Sequence, residues 1–368
     1  MNAEHTALST QLPRKVLIAA GGTGGHIIPA LAVANYLRTK GVVVHWLGTQ
    51  GGLEQQLVPA AGIVIHTIAF RGIRKKGWLS LLLAPFRVLR ATSQTIKILR
   101  REQITAVVGF GGFVSFPGGL AACLLRKPLI IQEQNAVAGF ANRFLAHYAR
   151  QVFQAFPHTF PHKRRVITSG NPVRDEIANL PEPSQRFSGR SGPLCLLILG
   201  GSQGAMLFNQ LIPQALAKIP PPLRPHIIHA AGKRFAEQTA ALYRELGVDA
   251  EVSAFIDDIA ASYAWADLAI CRAGALTVTE LAAAGLASVL IPYPHAVDDH
   301  QTKNAAGLVE VEAAIALAQQ EFTIEKFQAL LLELNDRARL LKMAKAARSL
   351  ALPHATEIVA QGCLDYCK

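Results

Sequence analysis

The residues best suited to chemistry in this chain are glycines, with one histidine and a few carboxylates and amides beside them. Residues 21–26 read Gly-Gly-Thr-Gly-Gly-His directly after an apolar run. A glycine-rich turn ahead of a helix bares backbone N–H groups at the helix's partial positive end, which favours anions such as diphosphates. Residues 200–204 repeat the pattern as Gly-Gly-Ser-Gln-Gly, and a third cluster between Gly109 and Gly119 carries Gly111, Gly112, Phe113 and Ser115. Ile27 stands where a dinucleotide fingerprint needs its third glycine, and no turn has the Gly-Lys-Ser/Thr ending of an NTPase loop. His26 closes the first turn; a neutral imidazole there could take a proton from a hydroxyl, or it could cap the turn. Glu133, after an apolar run, is a second candidate base, or a charge that neutralises a nearby Arg or Lys.

The second half offers a different set. Arg174, after Asn171-Pro172-Val173, could meet a phosphate or simply be solvated. Gly274 precedes Ala275, Leu276, Thr277, Val278, Thr279 and Glu280, a further glycine turn opening a helix. A carboxylate there suits a ribose diol and equally suits the helix dipole. Residues 295–304 form a dense polar loop containing Gln301, fitted to sugar hydroxyls. Metal-dependent sugar transfer typically needs two carboxylates one residue apart. The first 170 residues contain no Asp, and Asp257-Asp258 and Asp298-Asp299 are adjacent pairs, so metal-free chemistry is favoured. Helix N-termini and Arg would then meet the charge of the leaving group.

Such residues need a scaffold that puts them at strand ends. Short apolar runs rich in β-branched residues alternate with amphipathic stretches of helical length, the pattern of parallel sheets with helical crossovers. Runs at 16–18 and 196–198 each lead into Gly-Gly, and this weak internal repeat predicts an α/β chain of two Rossmann-like domains. A length of 368 residues suits two cores. The turn signal at 169–172 divides the chain into residues 1–170 and 171–350, with a terminal segment 351–368 whose helix is predicted at 355–366. The Pro/Ser/Arg-rich stretch 181–193 reads as a surface loop. Five cysteines without a CxxC pair indicate neither a disulfide framework nor a zinc site. Residues 107–125 are uncharged, but their five glycines argue for strand, loop and helix start over a membrane span.

The net charge of +12 is unevenly spread. The first 170 residues hold 20 Lys/Arg against 4 Glu, and the remainder 17 against 21 Asp/Glu. Residues 71–101 contain nine Lys/Arg and no acid. Within them Trp78, Leu79, Leu82, Leu83, Phe86 and Leu89 recur at helical steps beside Lys75, Lys76, Arg87 and Arg90. That is the pattern of a helix lying on anionic lipid, or of a core-facing stripe with a basic back. Scarce stacking aromatics and the lack of a nucleic-acid motif argue against nucleic acid as a partner.

Taken in order, residues 21–26 (GGTGGH), 109–119 (GFGGFVSFPGG), Glu133-Gln134-Asn135, 170–174 (GNPVR), 200–205 (GGSQGA), 255–258 (FIDD), 274–280 and 298–304 carry a resemblance. The chain resembles the MurG family, the N-acetylglucosaminyltransferases of peptidoglycan synthesis, over essentially its whole length. The resemblance implies a GT-B fold, two Rossmann-like domains facing a cleft. It implies transfer of N-acetylglucosamine from UDP-GlcNAc to the 4-hydroxyl of the muramyl sugar of lipid I, giving lipid II with inversion and without metal or cofactor. The second domain would hold the donor, with the Ile256 backbone on uracil, Glu280 on the ribose, and Ser202 and Arg174 near the diphosphate. Residues 275–279, Gln301 and Asn135 would reach phosphate or sugar, and Thr23, Gly24 and Gly25 would line the donor–acceptor face. The glycine loops of the first domain would take the acceptor diphosphate, and His26 or Glu133 would serve as base. The patch around residues 78–90 would make the protein peripheral on the cytoplasmic face of the bacterial membrane. Cell-wall synthesis and division proteins are implied as further partners, and the last helix would pack on the first domain. A UDP-GlcNAc epimerase on the same two-domain scaffold is the competing enzyme, though it has no use for a bare basic patch. A non-catalytic membrane binder would leave the donor-side motifs unexplained.

Overall fold

The computed structural model of the protein describes residues 14–70, 83–160, 165–201 and 204–367. Packing divides the chain into two compact units. The first comprises residues 1–132, 141–152 and 357–368, the second residues 133–140 and 153–356. The turn at 169–172 lies inside the second unit.

The chain begins with β1 (Lys15–Ala19), α1 (Gly24–Thr39), β2 (Val43–Thr49), α2 (Glu54–Ala60) and β3 (Val64–Ile68). It continues through α3 (Ala84–Arg101), β4 (Ala106–Gly109), α4 (Ser115–Leu124), β5 (Leu129–Glu133), α5 (Phe140–Leu145), β6 (Gln151–Gln154) and β7 (Val166–Thr168). The strand order is β3-β2-β1-β4-β5-β6-β7. β1 pairs in parallel with β2 and with β4, Leu17 standing opposite both His45 and Val107. Parallel strands covered on both faces read as unbroken apolar runs, and Val16 to Ala19 are all fully buried. Chain direction through the sheet reverses between β1 and β4. The loops after those two strands, both glycine-rich, therefore occupy the switch point where open α/β sheets bind ligands.

α1 starts at Gly24, inside the glycine-rich turn and ahead of its first buried apolar residue, Ile27. α3 buries Ala91, Thr92, Thr95 and Leu99, while Leu83, Phe86 and Leu89 near its start are exposed. The apolar stripe, over its described part, is therefore not core-facing.

The second unit runs through α6 (Asp175–Ala178), α7 (Pro183–Phe187), β8 (Cys195–Leu199), α8 (Met206–Ala217), β9 (His226–Ala230), α9 (Ala236–Glu245) and β10 (Glu251–Ser253). Then come α10 (Ile259–Trp265), β11 (Leu268–Cys271), α11 (Ala275–Ala284), β12 (Ala287–Leu290), α12 (His300–Glu310), β13 (Ala314–Ala316), α13 (Ile324–Glu333) and α14 (Arg337–Ser349). Its sheet has the order β10-β9-β8-β11-β12-β13, with the same reversal between β8 and β11. Alternate residues of β11 feed two cores: Leu268 and Ile270 join Phe208, Ile212 and Phe327, while Ala269 and Cys271 join Tyr263, Val278 and Leu308.

The stretch 181–193 is not the surface loop that its composition predicts. α7 lies in it, with Pro183, Arg186 and Phe187 buried. The Arg186 guanidinium donates to the carbonyls of Tyr263, Ala284 and Gly285, closing the carboxyl ends of α10 and α11. Burial lowers its pKa to about 10. The last helix, α15 (Ala355–Tyr366), belongs to the first unit from residue 357, and buries Val359, Ala360 and Cys363. All five cysteines are free. No described helix is long and apolar enough to cross a membrane.

His229 in β9 is fully buried, with Nδ1 3.1 Å from the Tyr243 hydroxyl, and burial pushes its pKa down to about 3. Folding therefore favours the neutral ring. That contribution is complete above the ordinary value of 6.5 and is lost as pH falls from there toward 3. Urea unfolding is expected to show stability falling by up to about 1.4 kcal/mol per pH unit from this group across that window. His229→Gln should flatten this part of the profile, and an unchanged slope in the variant would assign it to other groups.

Candidate active site

A buried acid shapes the first glycine loop. Glu54, which opens α2, is fully buried; its Oε1 accepts from the Thr49 N–H (2.8 Å) and hydroxyl (2.9 Å), and its Oε2 from the Gly22 N–H (3.3 Å). A Cβ at Gly21 or Gly52 would collide with that carboxylate, and one at Gly48 with the Glu54 Cγ. The loop after β4 meets the first one backbone to backbone. Gly112 has φ +74°, and a Cβ on it would overlap the Gly21 carbonyl oxygen. Ser115, expected among the groups facing a diphosphate, is instead fully buried. Its hydroxyl accepts from the Gly111 N–H (2.8 Å) and lies 2.7 Å from both the Ala19 and Gly111 carbonyls. It pins the loop shut because one hydroxyl here satisfies the groups that the turn leaves unpaired. Phe113 at the tip is exposed.

Thr23 is exposed and extended, and its hydroxyl does not cap α1. Gly24 and Gly25 beside it stand half-buried. His26 sits within the first turn, also half-buried, its backbone N–H 3.1 Å from the Thr23 carbonyl.

In the second unit the N-cap position of α11 is Gly274, extended and with no side chain to cap the helix. Ala275, Leu276 and Val278 are buried. The Thr279 hydroxyl donates to the Ala275 carbonyl (2.9 Å) and accepts from Asn171 Nδ2 (3.1 Å); Thr277 remains half-exposed. Glu280, 6 % exposed, accepts from Arg174 Nη2 at 3.1 Å and from the Tyr263 hydroxyl at 3.0 Å. Burial pushes its carboxyl above the usual carboxylate range, although Arg174 and Tyr263 pull the other way. Burial and the Glu280 charge together raise the Tyr263 hydroxyl. Arg174 Nε is buried without a hydrogen-bond partner, while 34 % of its side chain is exposed. A ribose diol could reach Glu280 only if Arg174 turned aside.

Glu133 does not stand ready as a base. It is buried, its Oε1 accepting from the Asn135 N–H (3.0 Å) and Nδ2 (3.2 Å), its Oε2 from the Gly139 N–H (3.1 Å). Those bonds hold the turn over 133–139. Two asparagines fasten it from outside: Asn171 Nδ2 donates to the Gln134 carbonyl (3.0 Å), and Asn304 Oδ1 accepts from the Ala136 N–H (2.8 Å). Asn304 Nδ2 also donates to the Ala273 carbonyl (3.2 Å) and lies 3.4 Å from Asn135 Oδ1. Asn135 is thus brought beside the start of α11. Gln301 Oε1 accepts from the Tyr293 N–H at 2.8 Å. Ile256, between β10 and α10, packs partly on the core behind an exposed Phe255. Gly201 and Gly204 both have positive φ, and Gly204 passes so close to the Ala231 carbonyl that no Cβ fits.

Ser202 lies outside the described residues, as do Lys75, Lys76, Trp78, Leu79 and Leu82. Of the rest of the basic apolar patch, Arg90 is exposed and Arg87 half-buried. Sequence reasoning did not single out Glu54, Tyr263, Asn304 or Arg272. Arg272 donates to the Ile291 carbonyl (3.1 Å) and Gln319 Oε1 (2.7 Å) with its guanidinium over the rings of Phe208 and Tyr293. For Glu54 a signal existed: one of four acids in a basic half, ringed by Gly48, Gly51 and Gly52.

Residues 16–154 match the Glycosyltransferase family 28 N-terminal domain, and residues 195–359 the Glycosyltransferase family 28 C-terminal domain. A Marinobacter nauticus relative is 52 % identical over 353 residues, 96 % of this chain and 97 % of its own length. It is named UDP-N-acetylglucosamine–N-acetylmuramyl-(pentapeptide) pyrophosphoryl-undecaprenol N-acetylglucosamine transferase. The crystal structure of Acinetobacter baumannii MurG is 42 % identical with a TM-score of 0.82, covering 96 % of this chain and 100 % of that one. A UDP-N-acetylglucosamine 2-epimerase structure matches 96 % of each chain with a TM-score of 0.65 at 12 % identity, a likeness of fold alone.

Two glycine variants separate backbone strain from collision. Gly22 has φ +100° with open space around it, so Gly22→Ala should cost about 1–2 kcal/mol from conformation alone. Gly112→Ala must also displace a backbone carbonyl and should cost at least about twice as much. Urea unfolding of the two variants measures this; equal losses would refute the close approach of the loops.

Proposed function

Because the chain belongs to glycosyltransferase family 28, we propose that its second unit binds the sugar-nucleotide donor and its first unit the lipid-linked acceptor. The protein is a UDP-GlcNAc-dependent N-acetylglucosaminyltransferase of peptidoglycan synthesis, and its acceptor is undecaprenyl-diphospho-N-acetylmuramyl-pentapeptide, lipid I. The epimerase reading rests on a distant likeness of fold and is set aside.

The observation that carries the donor assignment is the uncapped start of α11 beside the Arg174–Glu280 pair. Backbone N–H groups there and the orphaned Arg174 Nε suit a diphosphate, and Glu280 becomes available to the ribose as Arg174 turns to the phosphate. In this reading Asn135, Gln301 and Thr277 reach phosphate or sugar, and the Ile256 backbone reaches uracil. On the acceptor side, the uncapped start of α1 at Thr23, Gly24 and Gly25 and the Gly111-Gly112 turn suit the lipid diphosphate. His26 takes the proton of the muramyl 4-hydroxyl as its oxygen bonds to the anomeric carbon. The bond from that carbon to the β-phosphate oxygen breaks, and its electron pair leaves with UDP, inverting the centre. Arg174 and the α11 N-terminus meet the charge that develops on UDP. The commitment of both Glu133 oxygens to its own turn favours His26 as base.

Membrane attachment is proposed to be peripheral, through Leu83, Phe86, Leu89, Arg87 and Arg90, together with Lys75, Lys76, Trp78, Leu79 and Leu82. Exposure of the described apolar members supports it. So does an aromatic row on the first unit, Phe116 against Phe144 and Phe144 against Tyr148, with centroids 5.6 and 5.5 Å apart.

Radiolabelled sugar should pass from UDP-GlcNAc to a lipid I analogue. Absence of both transfer and UDP-GlcNAc binding in purified protein would refute the donor assignment. Arg174→Ala should raise KM for UDP-GlcNAc by about tenfold to a hundredfold, the cost of one charged hydrogen bond. His26→Ala should lower kcat by about a hundredfold or more with KM little changed; near-normal turnover would exclude it as base. Reversing the charges of Lys75, Lys76, Arg87 and Arg90 should loosen binding to anionic liposomes and leave UDP-GlcNAc affinity unchanged. A parallel loss of donor affinity would overturn that division.

A further inference from the structure

A group of ligating side chains lies in the first unit apart from both glycine loops. β2 and β3 pair in parallel with Leu47 opposite His66 and His45 opposite Val64, so the two histidines are diagonal neighbours. Their rings stack at 5.2 Å and 18°, with His45 Nδ1 3.0 Å from His66 Nε2. Glu102, the residue after α3, completes the group: one ligand atom from each residue lies within 4.8 Å of the other two. His45 is buried and the other two half-buried, which leaves one side open to water.

We propose that His45, His66 and Glu102 form a binding site for a divalent transition-metal ion such as Zn²⁺, with solvent as the fourth ligand. In tetrahedral zinc sites, bonds of about 2.0–2.1 Å put neighbouring ligand atoms roughly 3.3 Å apart. The two imidazole nitrogens already stand close to that separation, and the carboxylate needs to close by up to about 1.5 Å.

Arg101 is what the ion must displace. Its Nε lies 2.7 Å from Glu102 Oε1, and its Nη2 lies 3.4 Å from His66 Nδ1. A guanidinium is only a donor, so His66 Nδ1 accepts there and carries no proton; the ring proton resides on Nε2, facing His45. For Nε2 to bind a metal that proton moves to Nδ1, and Arg101 must leave both His66 and Glu102. The Arg101 side chain is 69 % exposed and free to swing into solvent. Such an ion would tie the edge strand β3 and its neighbour β2 to the end of α3, a structural role away from the glycine loops.

The test uses chelator-treated full-length protein titrated with Co²⁺ and followed by visible absorbance, with Zn²⁺ as competitor. One equivalent should bind with the d–d bands of nitrogen and oxygen ligation. Affinity should fall at least tenfold in both His66→Gln and Glu102→Gln, and sugar transfer by the same preparations reports that they are folded. Arg101→Ala should bind about tenfold more tightly, which a merely structural histidine pair would not produce. The proposal is overturned if neither wild type nor Arg101→Ala binds Co²⁺ or Zn²⁺, if His66→Gln binds undiminished, or if thiolate charge-transfer bands place the ion on cysteine.

Discussion

The first unit's ligand face depends on one steric fact: the backbone of Gly112 lies against that of Gly21, with no volume for a Cβ between them. Two loops from neighbouring strands can only approach so closely if neither carries a side chain at the contact. Once they do, their peptide groups must be satisfied from below, because side chains above would fill the space a ligand needs. Glu54 and Ser115 do this from the buried side, one as an acceptor for Gly22 and Thr49, the other bridging Gly111 and Ala19. The surface of the loops is left as bare backbone with a helix start beside it.

The second unit solves the same problem with charge. Its glycine loop and the start of α11 also stand at a sheet reversal, but beneath them lies an ion pair, Arg174 with Glu280, in a setting that penalises the carboxylate. Breaking a pair of this kind without replacing its partner is costly, whereas exchanging one partner for another costs little.

The parts legible in the sequence were those in which one residue carries its own signal. Strands β1, β4, β8 and β11 are visible because buried parallel strands are continuously apolar, and the loops because glycine at positive φ has few substitutes. What could not be read were roles set by distant partners. Asn304 and the Ala136 N–H that it fastens are 168 residues apart, and Glu54 and Gly22 are 32 apart. Nor could the sequence show that the Glu133 carboxylate and the Ser115 hydroxyl bond within their own turns, since residue type alone does not say where lone pairs are used. Arg186 shows the converse. Its Pro/Ser/Arg-rich surroundings read as loop, yet its guanidinium closes two helix ends.

The assignment of residues 357–367 to the first unit bears on the order in which the protein can be made. Domains synthesised first ordinarily fold first. Here the opening unit lacks Val359, Ala360 and Cys363, all fully buried, until those residues have been made. The second unit, though it comes later in the chain, has all its strands by residue 316 and its α14 by residue 349. It is therefore the first that can be finished. The nascent opening unit must wait with its sheet formed and one helix missing, a state in which apolar surface stays open for the time it takes to translate some two hundred residues.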